Sequence, residues 1–381
     1  MANISDQNRK YDLKKPPGHE VPVPRWTLKF TDDVTHTYTL YVGVQCRETT
    51  SSDAATGLER IVQGLLESDE NGSKPEALDT FRVTEGFDII DCKVWVAYWT
   101  SATAFRAKLD SIDLKRLWHD VPNGKDREAI GVWLEHFTTP LERLETNYAR
   151  LEHKPGLAQI AGCEQPSHDL TGYWGAGRDR IPASAEDNFD YPAGGGVEPP
   201  KATPKGLGEW VGGTNYENMC HIRTSWPCAE RAPSQLTEPR TGSGQYWVTC
   251  DTAEREAYEN SLEPALMGGM RYLWDNAEET GTLGLRFLKN LNDDGDVIRE
   301  TCGAGFHRNW ADLERWSSRH PSHLKIFNGA MRHAKEFGEE RKFMTWHEVS
   351  ILKAGEVGFE YVNCAPETGV IKWVPLSVER L

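Results

Sequence analysis

One predicted helix presents a single histidine on an otherwise apolar face. Residues 320–323 read His-Pro-Ser-His, and proline at 321 is typical of the first turn of a helix. On that helix His323 shares one face with three apolar or small residues: Phe327, Ala330 and Ala334. Because haem iron needs a nitrogen ligand and porphyrin needs apolar walls, His323 is a candidate haem ligand. The alternatives are a hydrogen-bonded core histidine at this position, or His320 or His333 as the ligand.

A second histidine lies in a predicted strand. In the segment 346–351, alternation places His347, Val349 and Ile351 on one face of the strand, and that face is otherwise apolar. A partly desolvated histidine titrates near neutrality and can exchange protons with a substrate. The alternative is a buried histidine that only makes structural hydrogen bonds.

An arginine in a glycine-rich and aromatic segment is the third candidate. Residues 172–182 contain Arg180 just before Ile-Pro, where we expect an extended chain. Its guanidinium could hydrogen-bond an oxygen atom of a ligand. The alternative is a surface ion-pair cluster of Arg178, Asp179 and Arg180. The Gly-x-Gly spacing here lacks the βαβ context of a dinucleotide site.

Two stretches of chain carry the elements that would position these residues. The first has a predicted strand at 37–47, a helix from about Ser52, a strand over Phe87–Trp99 and a helix over Ala102–Trp118. A loop rich in proline and glycine follows at Ala183–Gly208.

The second stretch resembles the first in pattern. It has a predicted strand at Asn218–Arg223, a helix capped by Asp251 that ends near Asn276, a hairpin over 284–302, a helix capped by Asn309, and a last hairpin of His347–Leu352 with Val357–Cys364. We therefore predict an α+β protein of two ferredoxin-like halves. A polar N-terminal arm spans 1–30, the halves span 31–182 and 209–381, and the loop 183–208 connects them.

Composition excludes several classes of function. The 381 residues carry a net charge of −15, which disfavours binding to nucleic acid or anionic membranes. No apolar stretch approaches the roughly 18–20 residues that span a bilayer. The eight cysteines form no CxxC pair and show no zinc-ligand spacing. We expect a cytoplasmic protein with free thiols.

The chain resembles the haem-containing aldoxime dehydratases, also called phenylacetaldoxime dehydratases. The similarity extends from about Tyr41 to Cys364. Its most specific stretches are Gly-Tyr-Trp-Gly with Arg-Asp-Arg at 172–180, Leu-Glu-Arg-Trp at 313–316, His-Pro-Ser-His-Leu at 320–324 and Trp-His-Glu-Val at 346–349. Four motifs in the same order carry more weight than any one of them.

The resemblance implies roles for particular residues. It implies that His323 is the proximal haem ligand, that His347 is the distal acid–base catalyst and that Arg180 reaches the distal pocket. The family also has a distal serine between Ile-Arg and Gly-Gln. Here about 19 residues separate those anchors, so the resemblance favours Ser243 but leaves Thr224 and Ser225 open.

The resemblance further implies an activity and a fold. The expected reaction is a lyase reaction at ferrous haem b that dehydrates an aldoxime, R-CH=N-OH, to a nitrile. The expected fold is a pair of ferredoxin-like halves that form a dimeric α/β-barrel-like body, usually as a homodimer. The alternative functions are those of a haem-binding sensor or carrier, and of a haem oxidase or peroxidase-like enzyme on the same fold.

Overall fold

The computed structural model describes residues 9–47, 53–122, 124–149, 154–161, 167–191, 203–225, 250–292 and 294–381, with the backbone alone at 299. Within them, twelve antiparallel strands form one sheet. The strands are β1 (His36–Cys46), β2 (Ala77–Gly86), β3 (Lys93–Trp99), β4 (Ile130–Pro140), β5 (Leu144–Tyr148), β6 (Glu209–Thr214), β7 (Met219–Ser225), β8 (Thr282–Leu291), β9 (Val297–His307), β10 (Trp346–Leu352), β11 (Val357–Val362) and β12 (Ser377–Arg380).

Ten α-helices lie between these strands in the described part of the chain. They are α1 (Asp53–Glu67), α2 (Ala102–Asp110), α3 (Leu114–His119), α4 (Lys125–Ala129), α5 (Ala176–Arg180), α6 (Thr252–Ala257), α7 (Glu263–Asp275), α8 (Ala277–Thr280), α9 (Trp310–Arg319) and α10 (Pro321–Phe337). A π-helical turn, Tyr258–Leu262, joins α6 to α7. None of the helices is long and apolar enough to cross a membrane.

The same strand order occurs twice in the sheet. The full order is β12-β6-β11-β4-β1-β3-β2-β8-β9-β7-β10-β5. In the first block β1, α1, β2, β3, α2–α3 and β4 follow one another along the chain, and the strands lie in the order β4-β1-β3-β2. In the second block the order along the chain is β7, α6–α8, β8, β9, α9–α10 and β10. The strands of this block lie in the sheet in the order β10-β7-β9-β8. The blocks join where β2 pairs with β8.

The sheet is strongly curved, so strands that are distant in its order meet. The Thr139 hydroxyl on β4 lies 3.0 Å from that of Ser350 on β10. The Arg286 guanidinium on β8 donates to Glu135 on β4 at 2.7 Å. The concave face therefore encloses one core, whereas the helices cover the convex face and bury three separate apolar clusters over the second block.

Two predicted elements differ in extent from those in the structure. The strand expected over Phe87–Trp99 begins too early, because only Lys93–Trp99 is a strand (β3), and the preceding strand β2 (Ala77–Gly86) was not predicted. Between them Asp91 has a left-handed φ of 65°, and its N–H donates to the Val83 carbonyl, which closes the turn. The single helix expected over Ala102–Trp118 is α2 followed by α3, and Asp113 caps α3 by accepting from the Arg116 N–H.

The predicted last hairpin is also wrong. β10 pairs with β5 and β7, whereas β11 pairs with β4 and β6. The turn between them joins two ends of the curved sheet instead of two neighbouring strands. By contrast the β8–β9 hairpin is confirmed, as are the helix caps at Asp251 and Asn309.

Candidate active site

The structure brings together two of the predicted residues, His347 and Arg180. His347 lies on β10 and Arg180 ends the short helix α5. An Arg180 Nη2 atom lies 3.1 Å from His347 Nε2. The other end of the guanidinium is fixed, since Nη1 donates to the Leu170 carbonyl at 2.6 Å. Arg180 is therefore held within the convex face and is not part of a surface ion cluster.

Glu145 on β5 joins these two residues and was not predicted from the sequence. Its Oε1 accepts from Arg180 Nε at 2.5 Å and lies 3.1 Å from His347 Nε2. The carboxylate is fully buried. Burial alone would raise the pKa of Glu145, but the charges of Arg180 and His347 outweigh that effect and hold the pKa below its usual value.

His347 Nε2 therefore contacts one donor and one acceptor. When Nε2 carries a proton it can donate to Glu145, and when it does not it can accept from Arg180. Nε2 therefore has a partner whether or not it carries a proton, which leaves Nδ1 as the nitrogen that can exchange a proton with a substrate. Nδ1 makes no hydrogen bond within the described residues and is the ring nitrogen available to a ligand.

The N-terminal arm stabilises the segment that carries Arg180. The Lys14 N–H donates to the buried carboxylate of Asp179 at 2.8 Å, and the Tyr173 hydroxyl donates to the same oxygen at 2.8 Å. Lys14 also forms a 2.8 Å ion pair with Glu314 on α9. Lys14 therefore connects the arm to α5 and to α9, and so helps to hold the segment that carries Arg180.

His323 lies in the first turn of α10, among aromatic side chains. Its ring centroid is 4.7 Å from that of Trp316 and 6.4 Å from that of Trp174, and both contacts are edge-on. Phe327 is one turn further along and packs 5.1 Å from Trp174. Burial, with a smaller contribution from nearby His347, lowers the pKa of His323 to about 4, although a backbone hydrogen bond with Ser317 opposes the shift. The imidazole is therefore neutral at physiological pH.

These features fit a haem ligand. A metal ligand must be a neutral imidazole with an available nitrogen, and the Nδ1 atom of His323 is buried without a hydrogen-bond partner within the described residues. Trp174 is 46% exposed although it is large and apolar, which leaves an aromatic surface beside the ring. Of the rivals, His320 caps α10 through Ser322, and His333 is buried against Phe337 and Phe343.

The candidates for the distal hydroxyl occupy different positions. Thr224 on β7 is the direct cross-strand partner of His347, so the two side chains share one face. Its hydroxyl donates to the Trp346 carbonyl at 3.2 Å. Ser225 is buried on the opposite face and donates to the Thr301 carbonyl. Ser243 lies outside the described residues.

Comparisons with known proteins identify the family of the chain. The family model described as haem-containing dehydratase matches residues 40–235 and 241–370. Phenylacetaldoxime dehydratase of Bacillus sp. strain OxB-1 is 25% identical over 365 residues, which is 95% of each chain. Aliphatic aldoxime dehydratase of Pseudomonas chlororaphis is 28% identical over 372 residues, 96% of this chain and 95% of that protein.

A solved structure shares the whole fold. A crystal structure of an aldoxime dehydratase in complex with butyraldoxime aligns with a TM-score of 0.79 and 25% identity, and covers 97% of this chain and 94% of that one. The family match covers most of the chain and includes every described residue of the site. The chain therefore belongs to the haem-containing dehydratase family.

Proposed function

We propose that this protein is a haem-dependent lyase that dehydrates aldoximes, R-CH=N-OH, to nitriles and water. The relatives that carry the name aldoxime dehydratase match it along almost their whole length. The arrangement of the side chains in the site is the observation that supports this chemistry. His347 and Arg180 share the single buried carboxylate of Glu145, and nearby His323, which lies among aromatic rings, has a buried Nδ1 atom without a hydrogen-bond partner in the described part of the chain.

His323 would hold the haem iron, with Trp316, Trp174 and Phe327 as apolar walls. The contacts of those rings with one another and with His323 support this assignment. Ferrous haem b would supply electron density that weakens the N–O bond of a bound aldoxime. The protein supplies orientation and proton transfer.

His347 would act as the acid and then as the base. Hydroxide is a poor leaving group, so it departs as water after receiving a proton from His347 Nδ1. The neutral ring then takes the proton from the aldoxime carbon, which completes R-C≡N and restores the imidazolium. Glu145 accepts from the Nε2–H group in both forms of the ring and stabilises the charged form, and Arg180 donates to the departing oxygen.

A neighbouring hydroxyl would orient the oxime oxygen. Ser243 remains the assignment favoured by the sequence. Thr224 is the described residue best placed for this role, because it faces His347 across adjacent strands. Its present hydrogen bond to a backbone carbonyl leaves the oxygen lone pairs able to accept from a substrate hydroxyl.

We also infer the larger organisation from the repeated strand order. The blocks β4-β1-β3-β2 and β10-β7-β9-β8 support two ferredoxin-like halves within 31–182 and 209–381, with 183–208 as the connection. The curvature of the sheet is compatible with a barrel-like body. A homodimer and a cytoplasmic location remain expectations, which size-exclusion chromatography with light scattering and cell fractionation would test.

The decisive experiment is to reduce the purified holoenzyme without oxygen, add phenylacetaldoxime, and follow both the visible haem spectrum and nitrile formation. We expect a spectral change followed by phenylacetonitrile. His347→Ala should keep haem and lose about 10²–10⁴-fold in turnover. His323→Ala should lose normal haem ligation. Gas binding without nitrile formation, or turnover only with peroxide, would instead favour a sensor or an oxidase.

A further inference from the structure

A buried amide oxygen beside His347 lacks a hydrogen-bond partner among the described residues. Asn147 on β5 is the direct cross-strand partner of His347, so the two side chains share a face and lie about 5 Å apart. Asn147 is only 6% exposed. Its Oδ1 is buried without a hydrogen-bond partner in the described part of the chain. Burying such a group costs free energy unless a ligand or water satisfies it.

Two further polar side chains extend this surface away from His347. Trp26 pairs with Tyr148 at the end of β5 and with Ser167, so the neighbouring Arg25 and His168 lie beside that strand. Both ring nitrogens of His168 are buried without a hydrogen bond in the described part of the chain. Burial lowers the pKa of His168 to about 4, and the nearby Arg180 adds to the effect.

Arg25 brings a positive charge that no described carboxylate neutralises. Its Nη1 donates to the Thr345 carbonyl at 3.2 Å, and no ion pair involves it among the residues described. Burial, together with repulsion from Arg341 and Arg180, lowers the pKa of Arg25 to about 10. The nearby Glu145 is already shared by Arg180 and His347.

We propose that Arg25, Asn147 and His168 form a carboxylate-binding subsite next to the reacting centre. A guanidinium and a carboxamide supply N–H donors that match the two oxygens of a carboxylate, and His168 can donate from one ring nitrogen. This proposal rests on the proposed function. Two carboxylates could reach the subsite: a propionate of the haem, or an acidic group on the aldoxime two or three carbons from its C=N bond.

The test uses the full-length holoenzyme and Arg25→Met, which keeps the length of the side chain and removes its charge. Arg271→Met is the matched control, because Arg271 is exposed and pairs with Glu85. Arg25→Lys keeps the charge and should restore part of any loss. If Arg25→Met does not fold, as judged by circular dichroism, Asn147→Asp replaces it, since a like charge there should repel a carboxylate.

The first arm tests the haem propionate. The rate of haem transfer to apomyoglobin is compared for protohaem and its dimethyl ester, which lacks propionate charges. A rise of about tenfold or more for protohaem alone in Arg25→Met supports the subsite with the cofactor as its ligand.

The second arm tests the substrate. The kcat/KM values are compared for the oxime of succinic semialdehyde and for isocaproaldehyde oxime, in which an isopropyl group replaces the carboxylate. A fall of about tenfold or more in the ratio of the two values supports the subsite with the substrate as its ligand.

The subsite proposal is overturned if Arg25→Met, or Asn147→Asp in its place, changes neither readout by more than about threefold. The proposed function fails separately, if the wild-type holoenzyme makes no nitrile from either oxime or from phenylacetaldoxime. The haem-transfer arm can still be measured in that case, so the two failures are distinguishable.

Discussion

Among single residues, Glu145 has the most direct influence on the proton chemistry of His347. Glu145→Gln keeps the shape of the side chain and removes the charge that Arg180 and His347 share. We expect kcat to fall about 10²-fold, because the imidazolium loses its counter-charge, while haem content stays unchanged. Steady-state kinetics and the haem absorbance measure this, with Glu85→Gln as a surface control. Undiminished kcat would contradict the role given to Glu145.

The distal hydroxyl is the second question at the residue scale. Thr224→Val removes the hydroxyl and keeps the shape, and Ser243→Ala makes the matching change at the other candidate. Loss of one orienting hydrogen bond should lower kcat about tenfold or more in one variant and leave the other near wild type. A large effect of Thr224→Val would move the assignment to β7, and equal small effects would exclude both residues.

The site residues that were predicted from the sequence differ from Glu145, which was not predicted, in one physical respect. His323, His347 and Arg180 each lie in a short motif, so their chemistry could be read locally. Glu145 lies in Leu-Glu-Thr-Asn-Tyr, a segment without a motif, and it reaches the site only because β5 pairs with β10, about 200 residues later. Strand pairing over that distance depends on tertiary contacts that one sequence does not display.

At the scale of elements, close packing of α10 on the neighbouring helix determines where His323 lies. Gly269 on α7 faces Ile326 on α10, and a Cβ at Gly269 would lie 2.5 Å from the Ile326 Cδ1 atom. Further along, Gly329 faces Leu262 in the same way, at 2.9 Å. Small residues at these crossings let the helices approach closely, so a larger side chain should displace the helix that carries the proposed haem ligand.

Adjacent glycines on α7 make this testable. A Cβ at Gly268 would meet nothing within 4 Å, and the residue is exposed. We expect Gly269→Leu to weaken haem binding at least about tenfold by shifting α10, because overpacking of this kind costs about 1–3 kcal/mol. Gly268→Leu should leave haem binding unchanged. Haem titration followed by absorbance compares the two, and equal affinities would show that the crossing does not position His323.

The helices and strands that were predicted best are those whose ends are marked by cap or turn residues in the local sequence. The caps at Asp251 and Asn309 and the β8–β9 turn were readable because each depends on residues close in sequence. The start of β3 was predicted too early because apolar and β-branched residues occur throughout the turn at Asp91, and β2 before that turn was not predicted. The last hairpin failed because a short connection normally joins paired strands, whereas here it joins two ends of a curved sheet.

For the whole molecule, a buried ion cluster joins the two blocks across the concave core. Arg286 on β8 contacts Glu135 on β4 at 2.7 Å and Asp88 at 2.9 Å, and all three side chains are 1% exposed. Its guanidinium also stacks 4.3 Å above the Trp133 ring. Arg286→Met would leave two buried carboxylates without a counter-charge.

We expect Arg286→Met to lower the free energy of unfolding by about 3–5 kcal/mol, measured by urea denaturation. Arg271→Met removes an exposed ion pair and should cost no more than about 1 kcal/mol. If the two variants were equally stable, the cluster would not hold the curved sheet together.

The pH dependence of stability should report on Glu348, which lies on the concave face directly behind His347. Burial raises the pKa of Glu348 to about 7, although Arg223 and the Tyr148 hydroxyl oppose the rise. The folded protein therefore retains this proton at pH values where the unfolded chain, with a pKa near 4.5, has lost it. This group stabilises the fold at low pH, and its contribution falls by at most about 1.4 kcal/mol per pH unit as the pH rises from 4.5 to 7.

Glu348→Gln removes that titration but keeps an oxygen that can accept from Tyr148 and from the Leu157 N–H, as Oε1 does now. Its midpoint of thermal unfolding should depend less steeply on pH than that of the wild type between about 5 and 7. At pH 8, where the wild-type carboxylate is charged and buried, the variant should be as stable as the wild type or more so. Parallel pH profiles would mean that Glu348 does not titrate in this range, and that Arg223 keeps it ionised behind the active site.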